Sequence, residues 1–116
     1  MSKLRKPSLK KLLLERRKLL QELASLALMI RGSFFQRFST CSRPTCPCHQ
    51  GKRHGPRSYV AVTREKSQRQ HYVPITQVDA VRKGIGQHQR LLDIVARISA
   101  INIELMRGGK LNGQKD

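Results

Sequence analysis

Between residues 41 and 54 the chain carries three cysteines and two histidines in one turn-rich run, Cys41-Ser-Arg-Pro-Thr-Cys46-Pro-Cys48-His49-Gln-Gly-Lys-Arg-His54. Zinc takes four Cys or His ligands in a tetrahedron, and a sequence usually supplies them from one or two tight turns. Cys41, Cys46 and Cys48 give three thiolates within eight residues, and Pro44 and Pro47 stiffen the turn that presents them. The fourth ligand is His54 or His49. His54 is favoured, because five intervening residues let the loop close back, whereas His49 adjoins Cys48 and must twist to reach the same ion. The spacing is not that of a two-pair finger or ribbon, so the reading rests on clustering rather than on a template. An odd number of cysteines argues against a secreted disulfide framework and for a reducing compartment. The only acid between Gln36 and Val78 is Glu65, so a catalytic zinc with an open position and a nearby carboxylate is disfavoured. The expectation is structural zinc held by Cys41, Cys46, Cys48 and His54.

Apolar stripes flank this run. Leu9, Leu12, Leu13, Leu19, Leu20, Leu23, Leu26 and Ile30 recur mostly at spacings of three and four, which predicts an amphipathic helix. Ser8 is its expected N-cap and Gly32 its expected stop. A second stripe, Val78, Val81, Ile85, Leu91, Leu92, Ile94, Val95, Ile98, Ile101 and Leu105, predicts a long helix. Its opening signature is Thr76 followed by Asp79, and its end is near Gly108-Gly109. Gly84 and Gly86 weaken its first turns and are expected to mark a bend or break.

In the middle, Phe34, Phe35 and Phe38 suggest a short strand leading into Cys41. Ser58–Thr63 alternates and is rich in β-formers. Arg64–Gln68 is turn-like, and His71-Tyr72-Val73 reads as the returning strand, ended by Pro74, which cannot donate to a ladder. The predicted class is α+β: two long helices flanking a small, zinc-knuckle-bearing antiparallel sheet, the helices forming an antiparallel pair or a dimer. The expected divisions are a basic helix over 1–32, the knuckle and hairpin over 33–75, the long helix over 76–108 and a disordered tail over 109–116, all in one compact domain. The apolar face of the second helix spans more than one stripe, so further helices are expected to cover it, most economically in a homodimer.

Twenty-four Lys and Arg face seven Asp and Glu, a formal charge of +17 on 116 residues. A chain this basic repels itself unless a polyanion neutralises it, and nucleic acid is the expected partner. Arg37, Arg43, Lys52, Arg53, Arg57, Arg64, Lys66 and Arg69 surround the knuckle and hairpin, where they can reach phosphates or guanine edges. Lys10, Lys11, Arg16 and Arg17 on the first helix can track a backbone. Tyr59 and Tyr72 can stack on bases, but in a chain with 4% aromatics they are expected more often in the core. No apolar run is long enough to span a bilayer, so no membrane role is expected. The expected location is the cytoplasm, with nucleoid association if the partner is DNA.

Gly32-Ser33, Cys41-x4-Cys46-x-Cys48, His54-Gly55-Pro56 with Tyr59, and Tyr72-Val73-Pro74 before a long helix together resemble a widespread uncharacterised bacterial domain family. Its short members are often encoded beside insertion-sequence transposases. The resemblance, over roughly Ile30–Met106, favours His54 over His49 as ligand and implies a mobile-element setting. A second likeness, by analogy only, is to the arm-type DNA-binding domains of tyrosine recombinases, where a small sheet ending in a Tyr-Val-Pro-like strand precedes a helix; those domains lack the cysteines.

Two functions follow as expectations. The first is a DNA-binding accessory or regulator linked to a mobile element, with DNA favoured over RNA. The second is a protein-interaction module whose helices dock on a transposase or another partner, with an RNA- or ribosome-associated role as a variant of the first. Enzymatic activity is not expected, because nuclease or strand-transfer chemistry needs clustered carboxylates and the seven acids are scattered.

Overall fold

Ser8 opens the first helix as expected. In this computed structural model, which describes residues 8–39, 43, 45–51 and 54–112, α1 runs over Leu9–Ala24. The side chains of Ser39, Cys48, His49 and His54 lie outside the described part. Ser8 has extended backbone angles, and its hydroxyl accepts the Lys11 N–H at 3.2 Å, which satisfies one of the otherwise orphaned donors of the first turn.

The helix does not reach Gly32. It ends at Ala24, where the Ser25 N–H turns back to the Glu22 and Leu23 carbonyls and the Ser25 hydroxyl bonds the Glu22 carbonyl at 2.6 Å. The residues beyond find partners elsewhere. The Leu28 N–H donates to Gln87 Oε1 at 2.8 Å and the Ile30 N–H to the Gly84 carbonyl at 2.9 Å. Leu26 and Ile30 keep the helical spacing without the helix because those bonds replace the helical ladder.

Three strands follow: β1 (Ser33–Ser39), β2 (His54–Arg64) and β3 (Ser67–Val73), in the order β1-β2-β3 and antiparallel throughout. A 3-10 turn, Pro47–Gln50, lies between β1 and β2 and closes on Gly51 at φ 103°. β2 and β3 are longer than the sequence predicts, and the turn between them is correspondingly short. Arg64 pairs with Ser67, leaving only Glu65 and Lys66 at the bend. Glu65 takes φ 57° there. After Pro74 a second 3-10 turn, Ile75–Gln77, takes in Thr76, so that α2 starts at Val78 and runs to Arg107.

Gly84 and Gly86 do not break α2, which is helical over all 30 residues. Its end is a Schellman motif: the Lys110 N–H reaches the Leu105 carbonyl at 2.7 Å and the Gly109 N–H the Met106 carbonyl at 2.9 Å, with Gly109 at φ 75°.

The chain divides into two compact units. One takes the described residues of Met1–Ala27 and Gln89–Asp116, the other those of Leu28–His88. In the first unit, Leu12, Ile101 and Leu105 form a buried cluster with Leu13 and Leu19 packed against it. Each fully buried aliphatic side chain contributes about 1.5–3 kcal/mol. Ile94, at 0% exposure, lies on the same α2 stripe. Glu15 receives a two-pronged hydrogen bond from Arg97 at 2.6 and 2.7 Å, Glu22 one from Arg90 at the same distances, and Arg16 donates to Asn102 Oδ1 at 2.7 Å. A second α2 stripe, Leu92, Val95, Ile103 and Met106, is about half exposed.

In the second unit one sheet face is the covered one. Ser58, Val60 and Val73 are buried on it, and Arg82 of α2 lies over the Phe34 ring at 4.3 Å. Among the described residues no helix is long and apolar enough to cross a membrane.

Candidate nucleic-acid interface

Strand pairing decides which side chains share a face, because neighbours along a strand point to opposite sides. The register sets Phe35 opposite Tyr59 and Tyr59 opposite Tyr72. The three rings therefore form one transverse row across all three strands, on the face opposite Val60 and Val73. Phe35 and Tyr59 are stacked with centroids 5.4 Å apart and planes 17° apart, and Tyr59 meets Tyr72 edge-on at 5.9 Å and 71°. Aromatic pairs in these geometries add to what burial alone contributes. Phe35 and Tyr59 are partly covered, whereas Tyr72 is 58% exposed. The expectation of a core tyrosine is thus wrong for Tyr72: β3 is an edge strand whose only buried member is Val73.

Arg37, two residues along from Phe35, lies across this row. Its guanidinium carbon is 5.5 Å from the Phe35 centroid and 5.1 Å from that of Tyr59, and one nitrogen donates to Gln70 Oε1 at 3.1 Å. Arg57 is the cross-strand partner of Arg37. Two like charges placed directly opposite each other destabilise a sheet; here the Arg37 guanidinium is drawn over the Phe35 and Tyr59 rings and onto Gln70.

The sheet sorts the other basic residues expected at the interface. Arg64 and Arg69 alternate onto the opposite face, where they line a shallow hollow with Val62, Ser67 and His71. Lys66 is exposed at the bend beside Glu65. The Arg43 carbonyl accepts the Cys46 N–H at 3.2 Å, while Lys52 and Arg53 lie outside the described residues. Lys10, Lys11, Arg16 and Arg17 are on α1, in the other unit. Lys10, Arg16 and Arg17 rim an open apolar hollow formed with Leu13, Leu14 and Leu20.

The metal-ligand expectation falls largely outside the described part: Cys41 is not described, nor are the side chains of Cys48, His49 and His54. Among the described residues no three His, Cys, Asp or Glu are gathered to hold a metal ion. The described backbone fits the proposed ligand set in one respect. His54 opens β2 and pairs with Ser39 at the end of β1, so the strand ends that bracket the three cysteines lie side by side. Cys46 caps the 3-10 turn that contains Cys48.

The aromatic row is the element that sequence reasoning missed. Its signal was present: counting back from a two-residue turn at Glu65-Lys66 sets Tyr59 opposite Tyr72. A five-residue turn at Arg64–Gln68 hides that register.

No curated protein and no solved structure matches the chain. A family model does match, over residues 9–83, a span that takes in α1, the Cys/His run and the whole sheet. That is well over half of the sequence, and the chain belongs to this family, described as Domain of unknown function (DUF6788).

Proposed function

We propose that this chain is a zinc-stabilised, basic nucleic-acid-binding protein, an accessory or regulator that acts on DNA in a mobile-element setting. One observation carries the proposal: Arg37 and Arg57 oppose each other on a sheet face that also presents a row of aromatic rings, in a chain of charge +17. A fold tolerates such a cluster of unopposed cations most easily where a polyanion docks. Zinc on Cys41, Cys46, Cys48 and His54 would cross-link the loop between β1 and β2 and hold that end of the sheet in shape. The nucleic-acid contacts are assigned first to Arg37 and Arg57; the further basic residues Arg43, Lys52, Arg53, Arg64, Lys66 and Arg69, and Lys10, Lys11, Arg16 and Arg17 on α1, would add to the positive field that draws the polyanion.

The test is binding of metal-replete protein to labelled duplex DNA across a salt series, repeated with Cys46→Ser and with Arg37→Ala/Arg57→Ala. We expect log affinity to fall linearly with log salt. Loss of the arginine pair should lower affinity at every salt and flatten the slope by up to about 2, near one for each phosphate no longer neutralised. Absence of binding at about 100 mM salt, where phosphate-binding proteins still hold, refutes the proposal.

A second reading has its own observation. Leu92, Val95, Ile103 and Met106 leave an apolar stripe of α2 about half exposed, which suits a partner helix from a second copy or from a transposase-like protein. On this reading α1 and α2 pair antiparallel within the chain, as the run Glu15–Arg97 and Glu22–Arg90 supports, and the open stripe mediates dimerisation. Light scattering on wild type and Val95→Lys/Met106→Lys separates the cases. A dimer that dissociates in the variant supports this reading, and a monomeric wild type removes its homodimer form.

A further inference from the structure

The aromatic row implies more than phosphate binding. We propose that the open sheet face is a stacking site for unpaired bases, and that its ligand is single-stranded DNA. This inference rests on the proposed nucleic-acid function and narrows it.

A surface that reads a duplex has Arg, Asn or Gln at its centre, aimed at base edges. Here the centre is Phe35, Tyr59 and Tyr72, in register across three strands, with Arg37 lying over the first two and donating to Gln70 Oε1. Rings take up bases only once these are out of a helical stack, and they do so with little regard for sequence because every base has a π-face. The Arg37 guanidinium, flat and cationic, already lies within 5.1–5.5 Å of two ring centroids. That is the geometry of a group that can stack on a base while its charge meets a phosphate. Tyr72, 58% exposed at the β3 edge, offers the most open ring. The surface supplies rings and cations; the assignment to DNA rather than RNA carries over from the proposed function, and the oligouridine arm of the experiment tests it.

The chain contains two tyrosines and no tryptophan, and both tyrosines belong to this row, so intrinsic tyrosine emission reports the proposed site alone. The experiment titrates full-length, metal-replete protein with a deoxythymidine oligonucleotide of about ten residues, within the roughly 4–16-nucleotide span of single-strand sites. A duplex and an oligouridine of equal length serve as parallel arms. We expect the single strand to quench tyrosine emission. Tyr72→Ala should weaken single-strand binding by roughly tenfold, as removal of one stacking ring does, while Tyr72→Phe, which keeps the ring, retains it. Duplex affinity, set by phosphates, should change by less than about threefold in Tyr72→Ala. An unchanged thermal midpoint certifies the fold of the variant. If Tyr72→Ala fails to fold, the presence or absence of quenching in wild type decides. Duplex binding without single-strand quenching overturns this inference and leaves the proposed function standing. Tighter binding of the oligouridine overturns the assignment to DNA. Failure to bind any of the three overturns both.

Discussion

Gly84 in α2 and Leu28 in the segment after α1 approach so closely that a Cβ on the glycine would run into the leucine carbonyl oxygen. The Ile30 N–H bonds the Gly84 carbonyl at 2.9 Å, and Ile30 side-chain atoms stand 3.2 Å from the same missing Cβ. Replacing an interior helical glycine by alanine ordinarily stabilises by about 1 kcal/mol. Here the helix and the crossing segment must separate, and overpacking of this kind costs about 1–3 kcal/mol. Gly86, two residues on in the same helix, has nothing within 4 Å of its missing Cβ. Gly84→Ala should therefore lower the midpoint of chemical denaturation, and Gly86→Ala should raise it. The same sign for both would mean that the close approach is not what holds glycine at position 84.

The two glutamates of α1 predict a pH dependence. The paired hydrogen bonds from Arg97 hold the Glu15 carboxyl below its ordinary value of 4.5, with charge attraction adding and partial burial opposing. Arg90 does the same for Glu22, and Asp93 adds a further attraction on Arg90. A carboxylate whose pKa is lowered by folding contributes stability that is present above the unfolded value and is lost as pH falls through the folded one. Thermal midpoints of wild type and Glu15→Gln/Glu22→Gln should differ at pH 7, with wild type higher, and converge below the ordinary value of 4.5. Both pairs are exposed, so the gap should also shrink in high salt. A gap that persists undiminished in acid would assign the effect to packing.

Glu65 is a non-glycine residue with positive φ, 57°, in the two-residue turn between β2 and β3. The left-handed region costs an ordinary L residue roughly 1–2 kcal/mol, and asparagine much less. Two-residue hairpin turns favour asparagine or glycine for this reason. Glu65→Asn should stabilise the hairpin by about 0.5–1 kcal/mol, read as slower amide exchange at Arg64 and Ser67. Unchanged or faster exchange would show that the glutamate side chain makes a compensating contact.

What the sequence made legible here was local. Ser8 ahead of a leucine stripe announced the start of α1, and Gly108-Gly109 the end of α2, because caps are written in adjacent residues. The end of α1 was not legible. Leu26 and Ile30 continue the helical spacing, and the bonds that replace the helix there go to Gln87 and Gly84, far along the chain. Gly84 misled for the same reason: alone in a helix it reads as a weak point, and only its distant neighbour explains it. At the candidate site, the alternation that sends Tyr59 and Tyr72 away from Val60 and Val73 could be read strand by strand, but the row required the register, which depends on the length of one turn. The Cys/His run was legible as a set of ligand types, whereas its geometry depends on residues outside the described part.

Metal removal tests that run. If Cys41, Cys46, Cys48 and His54 hold zinc, protein purified without chelator should carry about one zinc per chain, the number one tetrahedral site accepts. Zinc that binds only the folded form stabilises by mass action, by about 2.7 kcal/mol at a free concentration 100 times its Kd. Cys46→Ser should therefore lower the thermal midpoint, and a chelator should lower that of wild type without lowering the variant further. The effect should be felt where the ligands join the sheet. His54 pairs with Ser39 at the strand ends, so amides there should exchange faster while those of the turn at Glu65-Lys66 do not. His54→Ala should match Cys46→Ser in zinc content and midpoint, and His49→Ala should match wild type. If the two histidine variants exchange these roles, His49 is the fourth ligand; if neither histidine nor Cys46 alters zinc content, the cluster does not bind the metal, and the shape of that end of the sheet rests on its strand pairing alone.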